Sequence, residues 1–283
     1  MKTVEKFFGI AGAAMLISSS LLAGDITKNL NFSSFSGIES SASCEIVLEK
    51  SSEFTAKLTC DETFQDYVEV YAKNNLLHVE MNTKAMPAEL KKIWKTKDMR
   101  EPQFRLVLGL PSITSIELDG DAHLSSNLGT ISIKEFSLSL SGRSKATGLD
   151  VNADKLYLKA SGSSSAGISA AGDSLIVSTS GSSNANIKTS AANTSVTAAR
   201  TSSVTLSGSS NWIGITCGGA CAVNSLSLNS PRADVKLEGG AVASIQSSGK
   251  VTIDLKGSKL YFKGPAVFEV VKVINSNIEP AQE

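Results

Sequence analysis

A short unit that recurs eight times between Thr114 and Gly257 constrains the fold of this chain more than any other feature. In each unit three small or apolar residues alternate with other residues, and a glycine follows two positions after the third. The middle residues of the eight units are Ile116, Leu138, Leu158, Val177, Val196, Ile215, Val235 and Ile253. Successive units are 18–22 residues apart, and only Arg200 replaces the glycine. This periodicity indicates a repeat architecture.

Alternation with period two places the three apolar side chains of each unit on one face of a strand. One strand cannot bury that face alone, so the units must stack and share a core. We therefore expect an all-β fold: a single parallel β-helix of about eight coils over residues 105–264. Strand twist favours a right-handed path. The glycines mark corners where the backbone needs positive φ or close packing.

The residues two and four positions after each corner are small or apolar in all but the last unit, as a narrow interior requires. Four serines recur two positions after it, and we expect them to form an internal row that hydrogen-bonds to the backbone or to one another. They are Ser144, Ser164, Ser183 and Ser202. A further inward position closes each coil at Leu149, Ile168, Ile187, Leu206, Leu226 and Ile245.

Residues 1–24 have the pattern of a secretory signal peptide. Lys2 and Lys6 precede an apolar run, residues 7–23, that ends in small residues. The run is shorter than the roughly 20 residues of a membrane span. We expect an exported protein of the periplasm, outer surface or extracellular space. The whole chain has 27 basic and 27 acidic side chains, which gives no electrostatic footprint for nucleic acid.

Residues 31–82 are predicted to form an antiparallel β segment. One hairpin pairs residues 44–48 with 54–60, and another pairs residues 67–72 with 76–81. The asparagines of the second turn tolerate the left-handed conformation.

The four cysteines suggest two disulfides. The first hairpin's register places Cys44 opposite Cys60, where a cross-strand bond is feasible. Cys217 and Cys221 flank the corner at Gly219, and they form either a disulfide or two small thiols packed in the core. This pairing leaves no cysteine cluster for a metal, and the sequence indicates neither a metal nor a cofactor.

Residues 83–104 contain an inserted helix. Met86, Leu90, Ile93 and Trp94 share one face of it, whereas the other face carries the basic residues Lys91, Lys92 and Lys95. A basic amphipathic helix can lie on an anionic membrane. We favour a helix that covers the open first coil and shelters its edge, and consider membrane contact through the lysines the weaker interpretation. Residues 265–278 are predicted to form a last strand or cap.

The chain resembles the family of the putative auto-transporter adhesin head domain, often called the GIN domain. The resemblance covers most of the chain, residues 31–278, and rests on the order of several short motifs. These are Phe35-Ser36-Gly37-Ile38, Asp66-Tyr67-Val68-Glu69-Val70, Leu76-Leu77-His78-Val79, Leu110-Pro111-Ser112-Ile113, the Ser-Gly corners at 141–142, 161–162 and 180–181, and Tyr261-Phe262-Lys263-Gly264-Pro265. It implies an exported bacterial β-helix and, by the family's name, adhesion. It implies no catalytic residues, and the family's second corner glycine is missing here, as in Ser141-Gly142-Arg143-Ser144.

An enzyme that processes polysaccharides is the alternative function, because parallel β-helices include such enzymes and glycoside hydrolysis uses paired carboxylates. The acidic residues that could serve are Asp119, Asp121, Asp234, Glu238 and Asp254. Lys236 and Lys256 lie among them, which is the charge pairing of an ordinary solvated sheet. The sequence contains no G-x-S-x-G motif.

Binding is the better-supported function. The outward positions of the middle coils are nearly uncharged and rich in serine, with a few apolar or aromatic residues among them. The candidate binding residues are Tyr157, Ile176, Asn193, Trp212 and Arg232. We expect Trp212 to point outward between Asn193 and Arg232, where it either stacks on a sugar ring or packs under Arg232 as a cation–π pair. The expected partner is a glycan or a surface protein.

Overall fold

The computed structural model describes residues 24–32, 34–95 and 103–282. Over these residues the chain forms a β-solenoid of about 9 turns with two short helices. The predicted all-β parallel β-helix is therefore confirmed. The predicted signal peptide, apart from Gly24, lies outside the described residues. Within the described part, no helix is both long and apolar enough to cross a membrane.

The described N-terminal part comprises seven strands and two helices. They are β1 (Asp25–Asn31), β2 (Gly37–Ser40), β3 (Cys44–Lys50), β4 (Thr55–Asp61), a 3-10 helix (Glu62–Tyr67), β5 (Val68–Lys73), β6 (Leu76–Met81), α1 (Ala88–Lys95) and β7 (Phe104–Leu110).

The strands that follow are β8 (Ser115–Leu118), β9 (His123–Asn127), β10 (Thr130–Leu140), β11 (Lys145–Ala160), β12 (Ser165–Thr179), β13 (Asn184–Arg200), β14 (Ser203–Ser209), β15 (Trp212–Gly219), β16 (Ala222–Glu238), β17 (Val242–Lys256), β18 (Lys259–Lys263), β19 (Val267–Ile274) and β20 (Asn277–Pro280).

Parallel pairing between successive turns produces three ladders along the solenoid. The first ladder consists of residues 115–118, 135–140, 155–160, 174–179, 193–200, 212–219, 232–238, 250–256 and 267–274. The second ladder contains β9, β14, β18 and β20 with the opening residues of the long strands between them. The third begins as residues 130–133, 150–153, 169–172 and 188–191.

The repeat register predicted from the sequence is confirmed in the first ladder. All eight middle residues of the repeat pair with one another in order, from Ile116 to Ile253. Each is at most 3% exposed. The same row continues to Ile38 and Leu77 at the N-terminal end and to Val270 at the other end. The repeat thus forms one continuous apolar core.

The corners adopt the left-handed conformation that the glycines predict. Gly162 has φ +71°, and a Cβ there would lie 2.7 Å from the carbonyl oxygen of Gly142 in the preceding turn. Arg200 keeps the same conformation, with φ 63°, although it carries a side chain. The corner geometry is therefore imposed by the stacked turns and not by glycine alone.

The predicted serine row is buried and hydrogen-bonded. Ser144, Ser164 and Ser183 each donate to a backbone carbonyl at the end of an earlier turn, over 3.1–3.4 Å. The Ser202 hydroxyl accepts a hydrogen bond of 3.0 Å from Thr179. These bonds satisfy hydroxyls that would otherwise be costly in a dry interior.

Two predicted inward positions are wrong. In the first unit Thr114 is exposed, and the adjacent Ile113 is buried instead. Leu226 is only half-buried, because a β-bulge in β16 turns Ser225 inward instead, to 2% exposure. The Ser225 hydroxyl donates to the backbone carbonyl of Ser244 at 3.0 Å. A bulge inserts one residue and so changes which side chains face the core.

The first predicted hairpin is also wrong. β3 lies inside the parallel stack, between β9 and β7, and β4 pairs antiparallel with the far side of β7. Phe104 is therefore the neighbour of both Cys44 and Cys60, and the structure has no disulfide between them. Local turn signals cannot reveal a strand that inserts from elsewhere in the chain. The second hairpin, β5 with β6, forms as predicted, with left-handed Asn74 and Asn75.

The cysteines thus differ in role. Cys217 and Cys221 form a disulfide, with their Cα atoms 6.1 Å apart. Cys44 and Cys60 are buried in the core, where burial raises the pKa of the Cys60 thiol. A protonated buried thiol is a poor nucleophile, so Cys60 acts as a small apolar residue.

Two elements, β1 and α1, pack beside the N-terminal strands of the solenoid. β1 pairs along the outer edge of β4. Phe64 and Met86 form a small separate cluster on which Leu90 of α1 packs, together with Tyr67 and Met81. The inserted helix therefore packs through Leu90 beside the N-terminal strands, and its cover of the open first coil stays a prediction. The side chains of Ile93, Trp94 and Lys95 lie outside the described part.

We expect Thr194→Val to stabilise the protein. Thr194 is fully buried, and among the described residues its Oγ1 atom has no hydrogen-bond partner. Valine has nearly the same shape and removes the unsatisfied hydroxyl, so the free energy of unfolding should rise by about 1 kcal/mol.

Thr179→Val is the matched control, because Thr179 is also buried but donates to Ser202. That change should lower the free energy of unfolding by about 1 kcal/mol. Denaturant unfolding of both variants measures the two changes in the free energy of unfolding. Changes of the same sign would contradict the conclusion that the Thr194 hydroxyl is unsatisfied and the Thr179 hydroxyl is hydrogen-bonded.

Candidate binding surface

The five candidate binding residues all lie on the first ladder. Tyr157 and Ile176 are register partners in adjacent turns, and so are Asn193 and Trp212. Arg232 lies in the next turn, directly before Ala233, which pairs with the residue after Trp212. The parallel stacking therefore brings onto one surface residues that are up to 75 positions apart in the sequence.

Trp212 lies flat on the outside of this ladder. Its indole covers Gly214, since a Cβ on that glycine would fall 2.5 Å from the Cη2 atom of the ring. The ring nitrogen Nε1 donates a hydrogen bond of 2.6 Å to Oδ2 of Asp234 in the next turn. The side chain is half-buried, so its inner face rests on the backbone and its outer face meets solvent. A glycine and a carboxylate thus hold the indole in one orientation.

Arg232 and Asn193 flank the indole but have other partners. The Nη2 atom of Arg232 lies 3.6 Å from Oδ2 of Asp234, the same oxygen that accepts from Trp212. The Asn193 amide donates over 3.4 Å to the backbone carbonyl of Asp173. Asp234 therefore holds both the indole of Trp212 and the guanidinium of Arg232. The side chains of Arg232 and Asn193 lie on either side of the ring.

Tyr157, Ile176 and Trp212 form what we call the aromatic stripe. From Tyr157 the row passes through Ile176 and Ser195 to Gly214, which the indole covers. Three inter-strand steps make this about 14 Å. Ile176 is 36% exposed. A parallel row of exposed hydroxyls, Ser178, Thr197 and Thr216, runs beside the stripe. The surface therefore combines apolar platforms with neutral hydrogen-bonding groups.

Four of the five carboxylates weighed for catalysis are held in local pairs. Asp119 accepts from Ser141 at 2.6 Å, and this hydrogen bond is the main reason that the pKa of Asp119 is lowered. Asp121 pairs with Arg143, and Asp234 is held by Trp212 and Arg232. Glu238 lies 3.9 Å from Lys236. Within the described ranges, no group of three or more His, Cys, Asp or Glu residues could hold a metal ion.

Two residues of the surface were not predicted from the sequence, namely Gly214 as the floor under the indole and Asp234 as its anchor. Both signals were present in the repeat. Gly214 is the only glycine at its position in units whose equivalents include Tyr157, Ile176 and Ser195. Asp234 occupies the same outward position one turn later. Comparing outward positions turn by turn would have placed both beside Trp212.

Three solved structures have a similar fold over nearly the whole chain. A "putative lipid binding protein" from Parabacteroides distasonis has a TM-score of 0.63 at 11% identity, covering 92% of this chain and 98% of that one. A "putative adhesin" from the same species has a TM-score of 0.62 at 15% identity, covering 91% and 97%. A "putative adhesin" from Parabacteroides merdae has a TM-score of 0.61 at 17% identity, covering 92% and 97%. At such identities the likeness concerns the fold alone.

The similarity to one protein family extends over most of the sequence and not only over short motifs. No curated protein matches the chain significantly. The family described as "Putative auto-transporter adhesin, head GIN domain" matches residues 34–189 and 166–265, which together span most of the solenoid. The two matches overlap within β12 and β13, in the regular middle of the repeat. The chain therefore belongs to the family of the putative auto-transporter adhesin head GIN domain.

Proposed function

We propose that this protein is an exported, non-enzymatic, adhesin-like binder whose binding surface is the first ladder around Trp212, and that its ligand is a glycan. The family name supports an exported or surface protein with an adhesive role. The proposed location is the periplasm, the outer surface or the extracellular space. The observation that carries the proposal is the indole fixed flat on Gly214 by its hydrogen bond to Asp234.

A flat exposed indole suits a sugar ring. Aromatic faces pack against the apolar C–H surface of a ring, and hydroxyl, amide and guanidinium groups around them hydrogen-bond its substituents. Asn193 and Arg232 supply the last two groups beside Trp212, and Thr197 and Thr216 supply hydroxyls. A platform that is already fixed loses little conformational freedom on binding, which favours affinity.

The charge of the surface favours a neutral ligand. From the turn of Tyr157 to the turn of Trp212, the charged outward residues of the first ladder are Lys155, Lys159 and Arg200, and the outward positions around Ile176 and Thr197 are neutral. The Arg232 charge is partly compensated by Asp234. A polysaccharide-processing enzyme is less well supported, because four of the five carboxylates that it would use are engaged with Ser141, Arg143, Trp212 and Lys236.

We expect Trp212→Ala to weaken glycan binding strongly while changing the melting temperature by only a few degrees. The indole is half-buried on the outside of the solenoid, so its loss leaves the core intact. A glycan array probed with residues 25–283 identifies the ligand, and titration of the best glycan compares the variants. Loss of one aromatic platform should weaken affinity at least about tenfold, corresponding to about 1.4 kcal/mol.

Tyr261→Ala is the matched control, since Tyr261 is a half-buried aromatic residue of β18 on the second ladder. It should bind glycans as the unaltered protein does. Equal affinity for Trp212→Ala and the unaltered protein would overturn the proposed surface. A much lower melting temperature, with binding lost only in proportion, would show that Trp212 has a structural role alone.

A further inference from the structure

The C-terminal end of the solenoid is unlike the N-terminal end, because its last strand is apolar and exposed. Side chains of β19 are 38–70% exposed at five positions. These are Val267, Val270, Val271, Val273 and Ile274. Val270 belongs to the inward row of the first ladder, yet it is 59% exposed because no further turn of the described chain covers it. Across the described chain, β19 pairs only with β17, so its other edge has unused backbone donors and acceptors.

Exposed apolar strand edges promote association, and proteins usually protect them with charge or a covering segment. The N-terminal edge follows this rule. β5 places Glu69 and Lys73 along its length, and β1 places Asp25 and Lys28 along the other outer edge. β19 has only two charged residues, Glu269 and Lys272, in the sequence VFEVVKVI.

The sequence of β19 has the same order of apolar and charged residues when it is read in either direction, with Glu269 and Lys272 at equivalent positions. If a second copy of β19 pairs antiparallel about the bond between Val270 and Val271, Glu269 lies opposite Lys272 of the second copy, and the reverse pair forms by symmetry. The remaining pairs are then apolar on both sides. They are Val267 with Ile274, Phe268 with Val273, and Val270 with Val271. Opposite charges directly across an antiparallel pair stabilise it.

A β-bulge makes this register sterically consistent. Val270 pairs with Ile253 and Lys272 pairs with Asp254, so Val271 is an extra residue in the strand. Glu269 and Lys272 consequently both lie on the outward face, although they are three residues apart, because they pair with outward Thr252 and Asp254. An unbulged strand paired about the same bond would set outward side chains against inward ones.

We propose that the C-terminal end is a dimer interface, at which β19 pairs antiparallel with β19 of a second copy of this chain about the Val270–Val271 bond. The two first ladders then join into one continuous sheet, and Val270 and Val273 gain a covering layer. The interface uses the same surface on both subunits and closes on itself. Because the N-terminal edge strands β1 and β5 carry charged residues along their length, assembly stops at two copies. Each dimer carries two copies of the aromatic stripe.

Cysteine cross-linking tests the register directly. In the Glu269→Cys, Lys272→Cys double variant, each new cysteine lies opposite one of the second copy, at the Cα separation that a disulfide accepts. Under mild oxidation we expect a covalent dimer on a non-reducing gel. The single variant Glu269→Cys should form far less of it, because residue 269 does not lie opposite itself. Equal cross-linking of the single and double variants would overturn the register.

Reversing the charges of Glu269 and Lys272 tests the interface without introducing a covalent cross-link. Glu269→Lys sets two like-charged pairs across the interface and should weaken dimerisation about tenfold or more, measured by analytical ultracentrifugation. Adding Lys272→Glu restores opposite charges and should restore dimerisation. Glu45→Lys is the control, because it makes the same charge change at the other end of the solenoid. Glu45 lies in an exposed ion pair with Arg105, as Glu269 does with Lys250. A protein that is monomeric at all concentrations would overturn the proposal, as would a dimer that ignores Glu269→Lys.

Discussion

Val196→Asp is expected to destabilise the solenoid severely, because it places a carboxylate in the middle of the apolar core. Val196 is 1% exposed and stacks between Val177 and Ile215 at the centre of the first ladder. An aspartate there loses the apolar contacts of valine and buries a charge without a partner. The cost should be about 4 kcal/mol or more. In a stacked repeat such a defect also weakens both neighbouring turns.

The outward neighbours of Val196 are its controls. Ser195 and Thr197 flank it in the same strand, and Thr197 is exposed. Ser195→Asp and Thr197→Asp add the same charge on the solvent side and should each cost less than about 1 kcal/mol. Thermal and urea unfolding of the three variants compares them. If all three lost stability equally, the inward and outward assignment of the repeat would be wrong.

Gly172→Ala is expected to have the second largest effect. Gly172 has φ +124°, and a Cβ there would lie 1.9 Å from the carbonyl oxygen of Ala153 in the preceding turn. Neither the clash nor the dihedral can be relieved without moving the stacked backbone, because the obstructing atom is main chain. We expect a loss of about 3 kcal/mol or more in the free energy of unfolding.

Gly167→Ala provides the comparison within the same strand. A Cβ on Gly167 would meet only the Cγ2 atom of Thr147, at 3.8 Å, which is an ordinary contact. That change should be neutral or should stabilise by up to about 1 kcal/mol, because alanine restricts the unfolded chain. The melting temperatures should therefore move in different directions or by very different amounts. Similar losses for both glycines would contradict the close approach of the turns at residue 172.

The repeat could be predicted in detail because its physics is local. Each turn must place small or apolar side chains inward and must bend at a left-handed corner, and both requirements appear in every unit. Stacking from Ile116 to Ile253 follows from the spacing alone. The count of turns was lower in the prediction than in the structure, since β2, β3, β6 and β7 extend the solenoid without the corner glycine.

The N-terminal pairing could not be predicted because it is not local. β3 and β4 are adjacent in sequence, but β7, which begins more than 40 residues after β4 ends, inserts between them. The predicted Cys44–Cys60 disulfide is absent because the hairpin that would have placed the two cysteines opposite each other does not form. Cys217 and Cys221 were different, since a single corner sets their separation, and the sequence still left open whether they form a bond.

The outward position of Trp212 could be predicted from the sequence, whereas its contacts could not. The outward position of Trp212 follows from the inward position of Ile213. Its orientation depends on the absence of a side chain at Gly214 and on a carboxylate one turn away, which are relations between turns. Asn193 and Arg232, its neighbours in one outward row, therefore suggested a cation–π pair, whereas the guanidinium and the indole both engage Asp234.

Oxidative footprinting of the protein with and without its bound glycan tests most directly whether the first ladder is the binding surface. Tyr157 and Trp212 report on the first ladder, and Tyr261 reports on the second. We expect the glycan to lower the oxidation rates of Trp212 and Tyr157 and to leave that of Tyr261 unchanged. Protection of Tyr261 with unchanged oxidation of Trp212 would place the binding surface elsewhere and contradict the proposed function.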